Sequence, residues 1–250
     1  MRSRHFNKAG LNRFLSSLED STEDVVNLYI TPASFPDYAD ALSLGAKYST
    51  HALEIKEAVN TGAVISNAEK YGTGAAVFWN GLGNNHIVLP PFPIAENKAS
   101  TGKLDISILR EVLKQKYVIA VVLVTWGWYA LGVFDAGNLV ASKTGTGYIH
   151  KKHSKGGRSQ KRFARRTEEQ KKDFLRRVSN RIEERFESFA PDYIFFGGNK
   201  LILKPLIQES GYLRAKAGKI SPRVLDVRYA DREALAGSLA EITRSLVFSF

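Results

Sequence analysis

The amino-acid sequence predicts an α/β fold in which a mixed sheet with packed helices is preceded by a smaller α/β unit. Short apolar runs rich in β-branched and aromatic residues, which are typical of buried strands, recur along the chain. Between them lie segments whose apolar residues recur every three or four positions, as on helices that pack one face on a sheet. With 250 residues, 44% of them hydrophobic, the chain can bury one large core or two small ones.

The N-terminal part is predicted to alternate helices and strands. In order, these are a helix, a strand, a helix and two strands, at residues 11–18, 25–30, 52–70, 75–79 and 86–89. The second helix is expected to end at Gly72. Prolines followed by polar residues over 90–103 predict a linker. We therefore expect an N-terminal α/β domain over residues 1–103 and a second domain over 104–250.

The second domain is predicted to contain a meander of three strands. Its elements are a helix, three strands, a long helix, two strands and a closing helix, at residues 106–114, 117–125, 128–134, 139–142, 159–189, 193–196, 224–229 and 232–246. The first two strands carry the aromatic residues Trp126, Trp128 and Tyr129 at or near their junction. Such residues could stack on bases, but at sheet positions they are expected in the core. Three meandering strands are also found in nucleases of the ribonuclease H type. Those enzymes need a carboxylate on the first strand to hold magnesium, and residues 117–125 have none.

Composition excludes several classes of site. The chain has no cysteine, so disulfides, thiolate-bound zinc and a thiol nucleophile are excluded. Its five histidines do not cluster, and we expect neither a metal ion nor a cofactor. The longest apolar run, over 117–126, is too short to span a membrane. Residues 1–10 lack the apolar core of a signal peptide. A soluble cytoplasmic protein with no membrane partner is the expectation.

Positive charge is concentrated in one segment. Residues 143–181 contain 14 Lys/Arg against three acids, and this excess of 11 equals the formal net charge of the whole chain, +11. Such an uneven distribution indicates a polyanionic partner, because each neutralised phosphate releases a condensed counterion. A solvated basic helix face is the alternative interpretation. Residues 151–166 read KKHSKGGRSQKRFARR, so two adjacent glycines and a neutral amide lie among cations.

That string resembles the catalytic middle domain of the archaeal and eukaryotic class I translation termination factors, which are related to Pelota. The resemblance covers about residues 117–248 and includes Gly197-Gly198 after a strand. It implies a ribonuclease H-like release-factor domain. The termination factors carry Gly-Gly-Gln, whereas Arg158 follows the glycines in this chain.

A second branch accounts for this difference. The Vms-type release-factor-like family, which frees nascent chains from stalled large ribosomal subunits, has a Gly-x-x-Gln pattern, and Gly157-Arg158-Ser159-Gln160 matches it. Its bacterial members are the most similar, because the Phe-Ala-Arg-Arg continuation is kept. No third domain for recruiting a partner GTPase is evident.

The resemblance implies a codon-independent peptidyl-tRNA hydrolase that acts on the ribosome. Gln160, Gly156 and Gly157 would form the catalytic tip. The RNA-binding cations would be Lys151, Lys152, Lys155, Arg158, Lys161, Arg162, Arg165 and Arg166. The expected partners are the large ribosomal subunit with its RNA and peptidyl-tRNA. The alternative is a non-enzymatic ribosome- or RNA-binding factor of the Pelota type, which would use the same loop only for docking.

Overall fold

The computed structural model describes residues 1–19, 24–35, 49–81, 83–149 and 158–250, without the side chains of 49, 50 and 158–161. Within these ranges the chain forms two compact units. The first comprises residues 1–115 and 240–250, and the second comprises residues 116–239. This division differs from the expected boundary at residue 103, because the chain returns at its end to complete the sheet of the first unit.

The first unit is built on a six-stranded antiparallel sheet. Its strands are β1 (Arg2–Phe6), β2 (Val25–Ile30), β3 (Ala75–Trp79), β4 (His86–Leu89), β5 (Lys98–Gly102) and β11 (Ser245–Ser249), in the order β1-β11-β4-β3-β2-β5. Its helices are α1 (Lys8–Glu19), α2 (Ser49–Val59), α3 (Gly62–Tyr71) and α4 (Ser107–Lys114). Both faces of the sheet are covered, one by a core that includes residues of α2 and α3 and the other by a core that includes residues of α1 and α4.

Three predictions for this unit are corrected. The single helix over 52–70 is two helices, because Thr61 is extended and its hydroxyl donates to the Ala58 carbonyl at 2.9 Å. The expected linker is not one: Pro90 and Phe92 are buried, and β5 pairs with β2. The closing helix ends earlier than expected and is followed by β11, whose apolar run lies in the sheet interior between β1 and β4.

The second unit contains a mixed five-stranded sheet. Its strands are β6 (Val118–Thr125), β7 (Trp128–Asp135), β8 (Asn138–Thr146), β9 (Tyr193–Gly198) and β10 (Ile220–Leu225), in the order β10-β9-β6-β7-β8. Strands β6, β7 and β8 form an antiparallel meander, whereas β9 and β10 run parallel to β6. The predicted mixed sheet that starts with a three-stranded meander is therefore confirmed.

The helices of the second unit are α5 (Arg158–Phe186), α6 (Lys200–Glu209) and α7 (Gly211–Ala215), and α8 (Arg232–Ile242) follows β10. One face of the sheet packs against α5, α6 and α7 in a single core. On the other face, the hypothetical Cβ of Gly132 would lie 2.8 Å from Leu235 of α8. No helix among the described residues is both long enough and apolar enough to cross a membrane.

The last predicted strand of this unit, 224–229, is displaced toward the N-terminus. Leu225 already lies opposite Gly197 in the parallel ladder, and β9 ends at Gly198. Residues beyond Leu225 therefore have no strand with which to pair. The observed β10 contains Pro222, which an edge strand tolerates because one side of the strand makes no ladder hydrogen bonds.

Candidate nucleic-acid interface

The end of β8 and the middle of α5 are fixed to each other at the base of the basic segment. Arg177 of α5 donates from Nη1 to the carbonyl of Thr146, the last residue of β8, at 3.3 Å. Gly147 donates its backbone N–H to the Gly127 carbonyl at 2.8 Å. A Cβ on Gly147 would lie 2.6 Å from Cδ2 of Phe174, so the strand end contacts the helix directly. The end of β8 and helix α5, which precede and follow residues 150–157, are thereby held together.

An aromatic cluster supports this anchor. The Phe174 ring centroid lies 6.2 Å from that of Trp126 and 6.3 Å from that of Tyr129. The Tyr129 ring also covers the backbone of β8, since a Cβ on Gly145 would lie 2.4 Å from Cζ of Tyr129. Tyr129 is buried as expected, but Trp128 is 58% exposed, so the core assignment of Trp128 was wrong. Alternation along β7 directs Tyr129 toward α5 and Trp128 toward the opposite face.

The N-terminal half of α5 stands free of the second unit. Residues 162–166 are all exposed, and five consecutive residues cover more than one full helical turn. The first buried residue among the described side chains of α5 is Phe174, which is followed by Leu175, Val178, Ile182 and Phe186. At 1.5 Å per residue, the stretch from Arg158 to Phe174 is about 24 Å long. Over residues 162–166 the helix is therefore accessible on every face, and by Lys171 it lies against the Trp126 ring.

Ion pairs along α5 engage the few acids of the basic segment. Arg165 contacts Glu169 at 3.0 Å, Lys171 contacts Glu168 at 2.7 Å, and Arg176 contacts Asp173 at 2.8 Å. Among the described residues, Arg162, Arg166 and Lys172 form no ion pair within 4 Å. Exposed pairs of this kind contribute a few tenths of a kcal/mol, about 0.3 to 0.5 for neighbours one turn apart. A phosphate group can therefore displace them at small cost.

Two further contacts of charged side chains occur on α5. Arg181 donates to Glu184, and this hydrogen bond holds the pKa of the Glu184 carboxyl below its usual range. Lys171 also places its ammonium 5.2 Å from the centroid of the Trp126 ring, within the distance of a cation–π contact. Ion pairs thus occur along both halves of α5, and among the described residues Arg162 and Arg166 are the guanidinium groups of its N-terminal half without an ion pair.

The structure places the predicted site residues in three groups. Arg162, Arg165 and Arg166 are exposed on the projecting helix. Arg158, Gln160 and Lys161 lie in the first turns of α5, and their side chains are outside the described part. The other predicted residues, Lys151, Lys152, Lys155, Gly156 and Gly157, lie outside the described residues altogether. The catalytic assignment of Gln160, Gly156 and Gly157 therefore stays a prediction.

Three carboxylates near the strand ends of the second unit, Asp135, Asp192 and Asp226, do not converge on a magnesium site. Asp192 accepts the backbone N–H of Val118 at 2.8 Å, and Asp135 lies opposite Val118 in the ladder, so both are at the edge where β6 begins. Asp226 follows β10 at the opposite edge of the sheet. Within the described ranges, no group of three or more His, Asp or Glu side chains could hold a metal ion.

Comparison with known proteins gives matches to release factors. The model of the acVLRF1 family, the Actinobacteria/chloroflexi VLRF1 release factor, matches residues 117–247. The peptide chain release factor subunit 1 of Aeropyrum pernix is 25% identical over 151 residues, which cover 58% of this chain and 40% of the relative. The matched part of the chain thus spans less than half the length of that protein.

Two solved structures are also similar. The archaeal translation termination factor aRF1 gives a TM-score of 0.40 at 17% identity, covering 94% of this chain and 70% of that one. Pelota of Archaeoglobus fulgidus gives 0.32 at 10% identity, covering 96% and 63% of the two chains. The family match extends from β6 to β11 over more than half of the sequence and includes the whole of α5. The predicted resemblance is therefore confirmed, and this chain belongs to the Actinobacteria/chloroflexi VLRF1 release factor family.

Proposed function

We propose that this protein is a codon-independent peptidyl-tRNA hydrolase, which frees nascent chains from stalled ribosomes or large ribosomal subunits in the cytoplasm. The observation that carries the proposal is the exposed N-terminal part of α5, which presents Arg162, Arg165 and Arg166 on one face and has Gln160 in its first turn. A slender basic element of about 24 Å is suited to enter an RNA-lined cavity that the bulk of the protein cannot enter. Membership in a release-factor family supports the same reaction.

The chemistry of the ester explains the choice of residue. Peptidyl-tRNA joins the peptide to a ribose hydroxyl, and hydrolysis requires a positioned water and stabilisation of the developing negative charge. The amide of Gln160 can accept a hydrogen bond from water and donate one to an oxyanion. It is also neutral, so it is not repelled by RNA phosphates as a carboxylate would be. Gly156 and Gly157 would allow close approach to RNA, because they carry no side chain.

The cations are assigned the binding step. Arg162, Arg165 and Arg166 are exposed at positions i, i+3 and i+4 of α5, so they lie on one face of the helix and can contact neighbouring phosphates together. Lys151, Lys152, Lys155, Arg158 and Lys161 would extend this surface toward the tip. Guanidinium groups can also stack on bases, which an ammonium group cannot do as well.

A non-enzymatic docking factor is the second candidate. The observation in its favour is Arg158, which follows the two glycines at the place of the termination factors' glutamine. In that case the loop would contact ribosomal RNA through its charges alone. The two candidates differ in one property, the dependence of peptide release on the Gln160 amide.

Single-turnover release of labelled peptide from peptidyl-tRNA on isolated large subunits tests the proposal. We expect Gln160→Ala to lower the release rate by roughly 10- to 10³-fold, about 1.4 to 4 kcal/mol on the barrier, with ribosome affinity nearly unchanged. The matched control is Gln170→Ala, which makes the same substitution ten residues farther along the same helix and should release at the wild-type rate. Wild-type release by Gln160→Ala would exclude the catalytic role and favour the docking factor.

A further inference from the structure

The carboxyl ends of three parallel strands meet at one edge of the second unit's sheet. Strands β6, β9 and β10 end there at Thr125, Gly198 and Leu225, and the same edge holds the start of β7 and the end of β8. We call this edge, formed by residues 125–128, 146–149, 198–201 and 225–229, the carboxyl rim. Phe174 contacts Gly147 at the carboxyl rim, so the projecting half of α5 extends past it.

Large apolar side chains are exposed along the carboxyl rim. Trp128 is 58% exposed, Tyr148 74%, Leu201 82% and Tyr229 66%. Among the described residues nine large hydrophobic side chains are exposed, and these four share one edge of one sheet. They follow or begin different strands from β10 across to β8, which at about 4.8 Å per strand spacing covers roughly 19 Å. Exposed apolar residues that occur singly need no explanation, whereas such a row indicates a contact surface.

The backbone beneath these side chains is held in place. Asn199 donates its N–H to the Val124 carbonyl at 2.9 Å, and its side-chain oxygen accepts from Leu201 N at 2.9 Å. On the β10 side, a Cβ at Gly197 would lie 3.1 Å from Cγ2 of Val227, so the segment before Tyr229 packs on the strand end. The exposure of the row therefore belongs to a fixed surface.

Two of the aromatic residues lie side by side on the same face. Trp128 is directly opposite Thr146 in the ladder, and the bond from Gly147 to the Gly127 carbonyl continues the pairing. Tyr148 is two residues beyond Thr146, so alternation places its ring on the face that carries Trp128. Diagonal neighbours on adjacent strands are within reach of two aromatic side chains. The strand register therefore brings Trp128 and Tyr148 near each other at the carboxyl rim.

Cations outnumber acids at the carboxyl rim. Lys200 and Arg228 are exposed beside Leu201 and Tyr229, Asp226 is the one acid of the four segments, and Lys171 of α5 lies over the Trp126 ring. Aromatic faces interspersed with cations are the combination that binds single-stranded nucleic acid, because bases stack on the rings while phosphates contact the charges.

We propose that the carboxyl rim binds unpaired nucleobases of RNA, which stack on Trp128, Tyr148 and Tyr229. The inference rests on the proposed function in one respect, the identity of the polyanion as RNA. It adds a second contact that the basic loop does not provide. Stacking depends on the base face and weakly on salt, whereas the α5 cations bind phosphates with a strong dependence on salt.

Tryptophan fluorescence of the whole chain tests the proposal with a short unpaired oligoribonucleotide as the probe. Of the three tryptophans, Trp79 is 4% exposed and Trp126 is partly buried, so quenching by a stacked base reports chiefly on Trp128. We expect the oligonucleotide to quench the emission, and a duplex of equal length to quench it far less. Trp128→Leu should abolish most of the quenching.

Variants without a tryptophan change measure the affinity. Tyr148→Ala and Tyr229→Ala should each weaken binding by roughly 5- to 150-fold at every salt concentration, with the salt slope unchanged. Tyr229→Phe keeps the ring and should bind as the wild type does. Val140→Ala removes another exposed side chain, near the opposite end of β8, and is the matched control. All three side chains are exposed, so these proteins should fold.

Several outcomes would overturn the proposal. These are wild-type RNA affinity in both Tyr→Ala variants and equal quenching by duplex RNA. If the wild-type protein self-associates, and the rim variants lose that association while RNA affinity is unchanged, the rim is a contact between copies of this chain. The assay contains no peptidyl-tRNA, and Gln160→Ala should quench as the wild type does. If quenching is intact but the protein releases no peptide, the hydrolase is excluded and RNA binding at the rim stands. If the protein releases peptide but the oligonucleotide does not quench, only the rim proposal is excluded.

Discussion

At the residue scale, Arg158 separates this chain from the termination factors it resembles. It begins α5 and occupies the position of their glutamine, but a guanidinium group cannot accept a hydrogen bond from water. We expect Arg158→Ala to weaken ribosome affinity and to leave the saturated release rate within a few fold, because only a phosphate contact is lost. Arg158→Lys should recover much of the affinity. A collapse of the saturated rate with intact binding would transfer the catalytic role from Gln160 to Arg158.

Single residues were predictable where a pattern carried the information and unpredictable where packing decided. The gapped string over 151–165 predicts the position of the basic site from sequence alone, and Arg162 and Arg165 of that string are exposed on α5. The neighbours Trp128 and Tyr129 have similar side chains and lie on the same strand, yet one is exposed and the other is buried. Their difference arises because α5 covers only the Tyr129 face at the end of the sheet. Sequence alone does not state which face a later helix covers.

At the element scale, the close packing of Gly145 of β8 against the Tyr129 ring holds the strand that leads into the basic segment. A Cβ at Gly145 would lie 2.4 Å from both Cζ and the hydroxyl oxygen of the buried Tyr129, so Gly145→Ala must displace the ring or the strand. We expect a loss of roughly 1 to 3 kcal/mol of unfolding free energy, the usual cost of overpacking. Chemical denaturation measures it.

The control for Gly145→Ala is a glycine with open space in the same unit. Nothing lies within 4 Å of a Cβ at Gly237, which is in the middle of α8. Gly237→Ala should stabilise the protein by about 0.4 to 1 kcal/mol, because alanine is the better helix former and restricts the unfolded chain. Equal changes in unfolding free energy for the two substitutions would show that the close contact with Tyr129 does not determine the cost of a side chain at position 145.

The elements that the sequence predicted are those that bury a face on their own. Strand β6 is a continuous apolar run, and the stripe that begins at Phe174 marks both the helix and the point at which its packing starts. By contrast, the edge strands β1 and β5 are largely exposed and polar, and hydrogen bonds to a single neighbour hold each of them in its sheet. Such strands depend on a partner distant in sequence, so local patterns do not reveal them.

At the scale of the whole molecule, the same limit explains the domain boundary. Strand β11 pairs with β1 and β4, so residues near 245 complete a sheet that begins at residue 2. No local pattern carries that pairing. The charge distribution, however, is a global property that can be counted directly: outside residues 143–181 the chain is neutral, which makes a matched experiment on the entire protein feasible.

The choice of control cations for that experiment depends on the structure. From the sequence alone, Lys98 would be a suitable control, because it lies outside the basic segment. In the structure, however, it contacts Asp105 at 2.8 Å and helps to hold the pKa of that carboxyl at about 2. Replacing it would remove an ion pair as well as a charge. Lys56, Lys70 and Lys114 are exposed, belong to three helices of the first unit and form no ion pair within 4 Å among the described residues. Neutralising these three lysines therefore lowers the net charge by the same amount without breaking an ion pair.

The polyanion argument is tested by ribosome binding at several salt concentrations. Neutralising Lys151, Lys152 and Lys155 together removes up to three phosphate contacts, so the slope of log K against log salt should flatten by roughly 0.7 to 0.9 per contact, about 2 to 3 in total. The variant with neutral residues at positions 56, 70 and 114 has the same net charge and should keep the wild-type slope, because nonlocal charges are largely screened beyond about 10 Å. If both triple variants flatten the slope equally, net charge drives the interaction, and the basic segment loses its assignment as the site of RNA contact.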